Sequence, residues 1–509
     1  MLNATVVLEP TFTIAPVNRR LFGGFVEHMG RCVYTGLYEP GHPQADDDGF
    51  RTDVLDLVRE LGVTVVRYPG GNFVSGYRWE DGVGPVDERP TRLDPAWRSI
   101  ESNHFGLGEF IRWCGKAGIE PMLAVNLGTR GTQEAIELWE YCNHSGGTSW
   151  SDLRARHGAE EPYGVRMWCL GNEMDGPWQL GHKSADEYGR LAAATARALR
   201  QFDPDLELVA CGSSHRQMPS FGAWEAAVLK HAYDEVDYIS AHAYYENRGD
   251  LASFLASSVN MDVFISDVVA TADYVRARQN KGKRINVSFD EWNVWYLSQV
   301  PGRSSPWQAT PRLSEEAYTL ADAVVVGSML ITLLRHSDRV TSACLAQLVN
   351  TIAPIRTEPG GAAWRQATFH PFALTAQHAR GDVLRVEPIA PRVPTAMYGD
   401  VPVVDATATR DPETGNTALF VVNRHPQDPV RLEIGTAGLG PVAVQEARAI
   451  TGQDPLAANT EQDPHRVIPV ALSVAAEQST LTVELPPVSW ACVRLTAGEP
   501  PDGAAAAGR

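Results

Sequence analysis

The sequence lacks an excess of positive charge, a long apolar run and any pattern of paired cysteines. With 44 Lys and Arg against 62 Asp and Glu, its formal charge is −18. Nucleic-acid binding draws its affinity from basic patches that displace counterions from phosphates, so this balance argues against a nucleic-acid partner. No apolar stretch approaches the roughly 20 residues needed to cross a bilayer, which speaks against a membrane partner. The opening MLNATVVLEPTFTIAPVNRR has neither a basic n-region nor an apolar h-region. No signal peptide is expected, and the reading is of a cytoplasmic protein that meets small, imported molecules. The seven cysteines form an odd set without a CxxC, so buried reduced thiols are expected. His28, His104, His182 and His215 fall on separate loops without ligand spacing, and the expectation is no metal and no cofactor.

At 509 residues the chain exceeds a single core, and its texture changes once. From about residue 19 to 350, short apolar strands alternate with amphipathic helices. The strands read as Phe22–Glu27, Val63–Tyr68, Glu120–Asn126, Val165–Asn172, Glu207–Cys211, Tyr238–His242, Ile285–Glu291 and Cys344–Val349. Helices are predicted over Arg51–Leu61, Leu107–Ala117, Gln133–Asn143, Ser184–Gln201 and Ser314–Arg335, with Ser184 and Ser314 as N-caps. An open doubly wound sheet would want a Gly-rich phosphate turn after its first strand. Gly23-Gly24 lies inside that strand without a GxGxxG, so a closed (β/α)8 TIM barrel over 19–380 is preferred. From 381 to 497, alternating runs between Pro, Gly and Asp turns predict an all-β, jelly-roll-like sandwich, which the strands of 1–18 are expected to join. Residues 498–509 read as a disordered tail.

Two predicted strands deliver a carboxylate at their C-terminal ends, Glu173 after Met167-Trp168-Cys169-Leu170-Gly171-Asn172 and Glu291 after Val287-Ser288-Phe289-Asp290. That edge of a barrel is where active sites sit. Two facing carboxylates suit glycosidic cleavage, one as acid and the other as nucleophile or base. Strand alternation sends Asp290 to the opposite side from Glu291, which makes it structural. Cys169 reads as barrel filling, and His242 as a neighbour that supports a carboxylate. The loops at 69–105, 174–183 and 292–313 hold Phe73, Tyr77, Trp79, Trp97, Trp178, Trp292, Trp295, Tyr296 and Trp307. Such rings either line a sugar pocket or pack the loops onto the barrel. Pro301-Gly302-Arg303-Ser304-Ser305-Pro306 permits lid motion of 296–313.

An Asn-Glu ending strand four, with a second Glu ending strand seven, resembles the clan A retaining glycoside hydrolases. More closely, GNEMDGPW at 171–178, DEWNVW at 290–295, RYPGGNF at 67–73 and FVEH at 25–28 resemble glycoside hydrolase family 51, the α-L-arabinofuranosidases, over nearly the whole chain. The resemblance implies Glu173 as general acid/base and Glu291 as nucleophile in a retaining, exo-acting mechanism on arabino-oligosaccharides or arabinoxylan fragments. It implies that Glu27, Asn72 and Asn172 hold sugar hydroxyls, that Tyr244 bonds the nucleophile or flanks the ring, and that Gln347 completes the pocket. Trp97 and Trp295 would be aromatic walls. It further implies no metal and a homo-oligomer, commonly a hexamer. The rivals are an endo-β-glucanase or β-xylosidase on the same scaffold, and a non-catalytic carbohydrate-binding protein. A carbohydrate-binding role for the sandwich alone is the weakest reading.

Overall fold

The computed structural model describes residues 1–300 and 306–498. Eight parallel strands close a barrel: Gly23–Phe25, Val65–Tyr68, Glu120–Ala124, Met167–Leu170, Glu207–Ala210, Tyr238–Tyr245, Asn286–Val294 and Val340–Ala346. Each pairs with the next, and Cys344 opposite Gly23 joins the eighth strand to the first. Alternation sorts the strand residues. Val65, Met122, Met167, Cys169, Val209, Tyr238 and Cys344 fill the barrel interior, while Val66, Leu123, Trp168 and Leu208 face the helices. The seven cysteines are buried and unpaired. No helix among the described residues is long and apolar enough to cross a membrane.

Helix starts follow local chemistry. The helix Ala185–Phe202 begins with a reciprocal cap, in which Glu187 Oε2 accepts from Ser184 N at 3.0 Å and Ser184 Oγ accepts from Glu187 N. The helix expected from Ser314 starts instead at Leu320, where Thr319 and Asp322 form the capping box. Ser314 has φ +50°, and its hydroxyl accepts from Trp295 Nε1 at 3.0 Å. Glu315 pairs with Arg31 and Arg356, so this acidic segment braces neighbouring loops and does not open a helix. The eighth strand also begins four residues earlier than its expected Cys344 start.

Beyond the barrel, two sheets share an apolar core that includes Leu419, Val421, Leu432, Ile434, Val483 and Val493. One sheet has four strands in the order Leu2–Val7, Val430–Gly435, Thr480–Leu485, Val474–Glu477. The other has seven and runs from Thr13–Pro16 through Asp382–Leu384 and Val404–Arg410 to the C-terminal strands. The two N-terminal strands thus enter different sheets. Barrel and sheets meet at the helix Leu320–Arg335, where Gly327 admits the Trp490 indole. A Cβ at that glycine would stand 2.3 Å from Trp490 Cδ1. A separate hairpin, Arg392–Thr395 with Gly399–Pro402, leaves the sheets and reaches back to the barrel mouth. The expected tail lies, apart from Gly498, outside the described residues.

Candidate active site

The fourth strand ends at Leu170, and Gly171 (φ +95°) turns the chain so that Asn172 and Glu173 stand at the barrel mouth. Glu173 itself adopts φ +43°, a conformation that non-glycine residues seldom take and that concentrates at functional sites. Its Oε2 accepts from Trp178 Nε1 at 2.7 Å, and its Oε1 lies 2.9 Å from His242 Nδ1. The Trp178 ring stacks on His215, with centroids 6.0 Å apart.

Glu291 is held by two cationic or hydroxylic donors. Arg67 Nη1 donates to its Oε1 at 2.8 Å, and Tyr244 Oη donates to its Oε2 at 2.8 Å. One oxygen each of Glu173 and Glu291, with a ring nitrogen of His242, fall within 4.8 Å of one another. That closeness suits the roughly 5–5.5 Å carboxyl separation of a retaining pair. Gly71 is required beside them, because a Cβ there would lie 2.9 Å from Glu291 Oε1.

Burial pushes the Glu291 carboxyl up, while the charges of His242 and Arg67 and the Tyr244 hydroxyl oppose the rise. Burial opposes a charge on His242, yet Glu291, Asp290 and Glu173 around it raise its pKa well above the usual imidazole value. As an imidazolium it donates through Nδ1 toward Glu173 and through Nε2 to Asp290 Oδ1 at 3.0 Å. Burial alone would also raise Asp290, but Arg67 and His242 hold it below the usual carboxylate range.

Asp290 therefore corrects the sequence reading. It faces the same interior as Glu291, because pairing of the seventh strand shifts register on both sides, between Ser240 and His242 and between Phe289 and Trp292. A bulge breaks the period of two on which the alternation argument rested. Arg67 was missed altogether as a candidate. It is buried, donates through Nη2 to Asn172 Oδ1 at 2.7 Å, and lies 5.0 Å from the centre of the Phe25 ring. The available signal was a cation two residues after Val65 on an inward-facing position of an apolar strand.

The remaining named residues gather around the pair. Glu27 is fully buried, and its Oε1 accepts from Phe73 N and from Trp97 Nε1, each at 2.9 Å. Burial and then the Glu291 charge push its carboxyl up to about 8. Gln347 Oε1 accepts from Glu27 N at 3.2 Å. Asn172 Nδ2 is buried without a protein partner. Trp295 packs edge-on to Tyr244, with ring centroids 4.9 Å apart, and lies 6.3 Å from Trp97. A cavity of about 700 Å³ opens in front, lined among others by Asn72, Trp97, Glu173, Trp178, Tyr244 and Trp295. Other rings do not reach it: Trp79 packs on Tyr141 and Trp150, Trp292 stacks on Phe372, and Phe73 and Tyr77 stack on His28. Residues 301–305 of the expected lid lie outside the described residues. In the rest of that loop, Gln308 O accepts from Ile100 N at 2.9 Å.

Among the described residues, Glu173, His242 and Glu291 are also the one group close enough to share a metal ion. His28, His104, His182 and His215 take no part in it; His28 is engaged by Glu101 and Tyr68. A cationic His242 and Arg67 beside Glu291 give the group internal neutralisation, which disfavours a bound cation.

Comparison with known proteins places this site in a family. A model of the α-L-arabinofuranosidase 1 domain matches residues 57–262, and one of the α-L-arabinofuranosidase C-terminal domain matches 290–489, starting inside the seventh barrel strand. The chain is 57% identical over 510 residues to an intracellular exo-α-(1→5)-L-arabinofuranosidase of Streptomyces lividans, covering 98% of this chain and 77% of the relative. It is 52% identical over 509 residues to an exo-α-(1→6)-L-arabinofuranosidase of Bifidobacterium longum, covering 96% and 97%. A solved family 51 α-L-arabinofuranosidase of Bifidobacterium longum superposes with a TM-score of 0.94 at 50% identity, over 97% of this chain and 99% of that one. With a carboxylate pair at the barrel mouth, Glu173 just past strand four and Glu291 three residues before the end of strand seven, and likeness of this extent along both halves, the chain belongs to the family 51 α-L-arabinofuranosidases.

Proposed function

We propose that this exo-acting arabinofuranosidase works by double displacement, with Glu291 as nucleophile and Glu173 as acid/base. The observation that carries the assignment is the difference in their surroundings. Glu291 is set between the Arg67 guanidinium and the Tyr244 hydroxyl, donors that favour an attacking carboxylate. Glu173 borders the open cavity, where a leaving group must depart and a water must arrive. Glu291 attacks the anomeric carbon while Glu173 protonates the departing oxygen. Glu173 then deprotonates the water that releases arabinose from the covalent ester. Throughout, His242 bridges Glu173 and Asp290 and fixes the acid/base carboxyl in place.

The sugar hydroxyls fall to the buried polar groups behind the pair. The unpartnered Asn172 Nδ2 is positioned to donate to the hydroxyl beside the anomeric carbon, an interaction that strengthens as charge develops there. A protonated Glu27, with Gln347 and Asn72, takes the remaining hydroxyls. Trp97 and Trp295 enclose the ring.

Substrates are terminal arabinofuranosyl groups on short arabino-oligosaccharides or arabinoxylan fragments, met inside the cell. That location is supported by the relatives described as intracellular. A homo-oligomer, with a hexamer as the expected size, follows from the family resemblance and is checked by light scattering. The purified enzyme should release 4-nitrophenol from its α-L-arabinofuranoside at least about a hundredfold faster than from the β-xyloside, and leave carboxymethylcellulose intact. Preference for the xyloside or for cellulose chains would keep the glutamate pair and discard the substrate.

A further inference from the structure

The cavity in front of Glu173 extends well past the room one leaving sugar needs. At about 700 Å³ it falls within the roughly 300–1,000 Å³ of pockets that enclose drug-sized ligands. Its far wall does not come from the barrel. Met397 and Tyr398 line it, and both sit at the tip of the hairpin that leaves the C-terminal sheets.

This tip is held in place. Ala396 N donates to Asp250 Oδ2 at 3.2 Å, and Met397 N donates to Ser253 Oγ at 3.1 Å. Asp250 also accepts from the Ser253 hydroxyl, so two residues of the barrel's sixth loop grip two consecutive amides. The hairpin base is anchored by Val393 and Val401 in the core of the sheets. The Met397 side chain, by contrast, is 62% exposed. An exposed methionine on a fixed backbone is an adaptable apolar surface, and a tyrosine ring beside it offers a face for sugar C–H groups. Charges along the intervening wall are engaged: Glu246 accepts from Arg248 Nε at 2.7 Å and from Ser298 N at 3.2 Å, Arg216 pairs with Asp267 at 2.9 Å, and Asp250 accepts the bonds from the hairpin tip and Ser253. A wall whose charges are already engaged, ending in apolar side chains, suits an uncharged sugar chain.

Resting on the assignment of Glu173 as the acid beside the leaving group, we infer that the Met397–Tyr398 tip is a binding subsite for the third unit of a linear arabino-oligosaccharide. The terminal unit lies behind Glu173, the second passes the Trp178–His215 stack, and the third rests on the hairpin. The C-terminal sheets thereby contribute to chain-length preference without touching the reacting atoms.

The test compares kcat/KM on arabinobiose, arabinotriose and 4-nitrophenyl α-L-arabinofuranoside. Wild type should favour the triose over the biose. In Met397→Ala/Tyr398→Ala the triose value should fall roughly tenfold, while the biose and aryl glycoside change less than about twofold. Met397→Leu, which keeps an apolar side chain and loses no core contact, should retain the triose preference. An equal fall on all three substrates, or a wild type indifferent to chain length, would overturn the subsite. A wild type that fails on the aryl glycoside would instead overturn the functional reading beneath it.

Discussion

Replacing Glu27 by Gln should make the enzyme more resistant to rising pH. Glu27 is buried beside Glu291, and its carboxyl is raised from an ordinary 4.5 to about 8. Its Oε1 accepts two hydrogen bonds at 2.9 Å while Oε2 takes only a long one of 3.5 Å from Gln347 Nε2, so the proton resides on the less engaged Oε2, where the Gln amide group would stand in for it. Below pH 4.5 the folded and unfolded chains both carry the proton, and the stabilisation is fully present. Between 4.5 and about 8 the unfolded chain has released it while the folded chain keeps it. Folding stability therefore falls by about 1.4 kcal/mol per pH unit across this window, with a ceiling on the order of 5 kcal/mol, and is lost once the pH passes the folded value. Glutamine does not titrate. Melting curves of both proteins between pH 5 and 9 should diverge steadily in favour of Glu27→Gln up to about pH 8 and then run parallel. Curves parallel throughout would show that Glu27 ionises at its ordinary value, and the argument from burial would fail.

Arg67→Met would strand Glu291 and Asp290 without their buried cation, at a cost of about 3–5 kcal/mol in stability and at least about a hundredfold in kcat/KM. Arg67→Lys should recover stability better than activity, because a lysine cannot serve Glu291 and Asn172 together; melting and aryl-glycoside kinetics read both. Trp178→Phe keeps a ring against His215 but removes the donor that positions Glu173 Oε2, a hydrogen bond worth about 0.5–1.5 kcal/mol. Its kcat/KM should drop up to about tenfold on oligosaccharides, which need protonation of the leaving oxygen, and little on a dinitrophenyl glycoside, which does not.

Much of this architecture was readable from residue order, for identifiable reasons. Short apolar strands followed by capped helices announce a barrel, and Glu173 and Glu291 stand out because each closes such a run in the sequence. What escaped depends on geometry that pattern does not encode. Asp290 turned inward because a bulge interrupts its strand. Arg67 was hidden because a cation inside a barrel becomes legible only once its carboxylate partners, distant in sequence, are in place. The segment after Ser314 carries good helix-starting residues, yet ion pairs to Arg31 and Arg356 hold it as a brace. The hairpin at 392–402 has Pro394 and no strong alternation, and nothing local places its tip at the mouth of a different domain. Among the aromatics, composition could not tell Trp79 and Trp292, which pack the scaffold, from Trp97, Trp178 and Trp295, which face the cavity.

The roles of the two glutamates are tested most directly by the anomeric form of the product made with azide. In Glu173→Ala, azide should restore turnover of the aryl arabinofuranoside and yield the α-configured azide, since it attacks the covalent ester from the face the leaving group vacated. In Glu291→Ala, it should yield the β-configured azide, since it takes the place of the missing nucleophile. Proton NMR distinguishes the two. The reverse pattern, or the same anomer from both variants, would contradict the assignment.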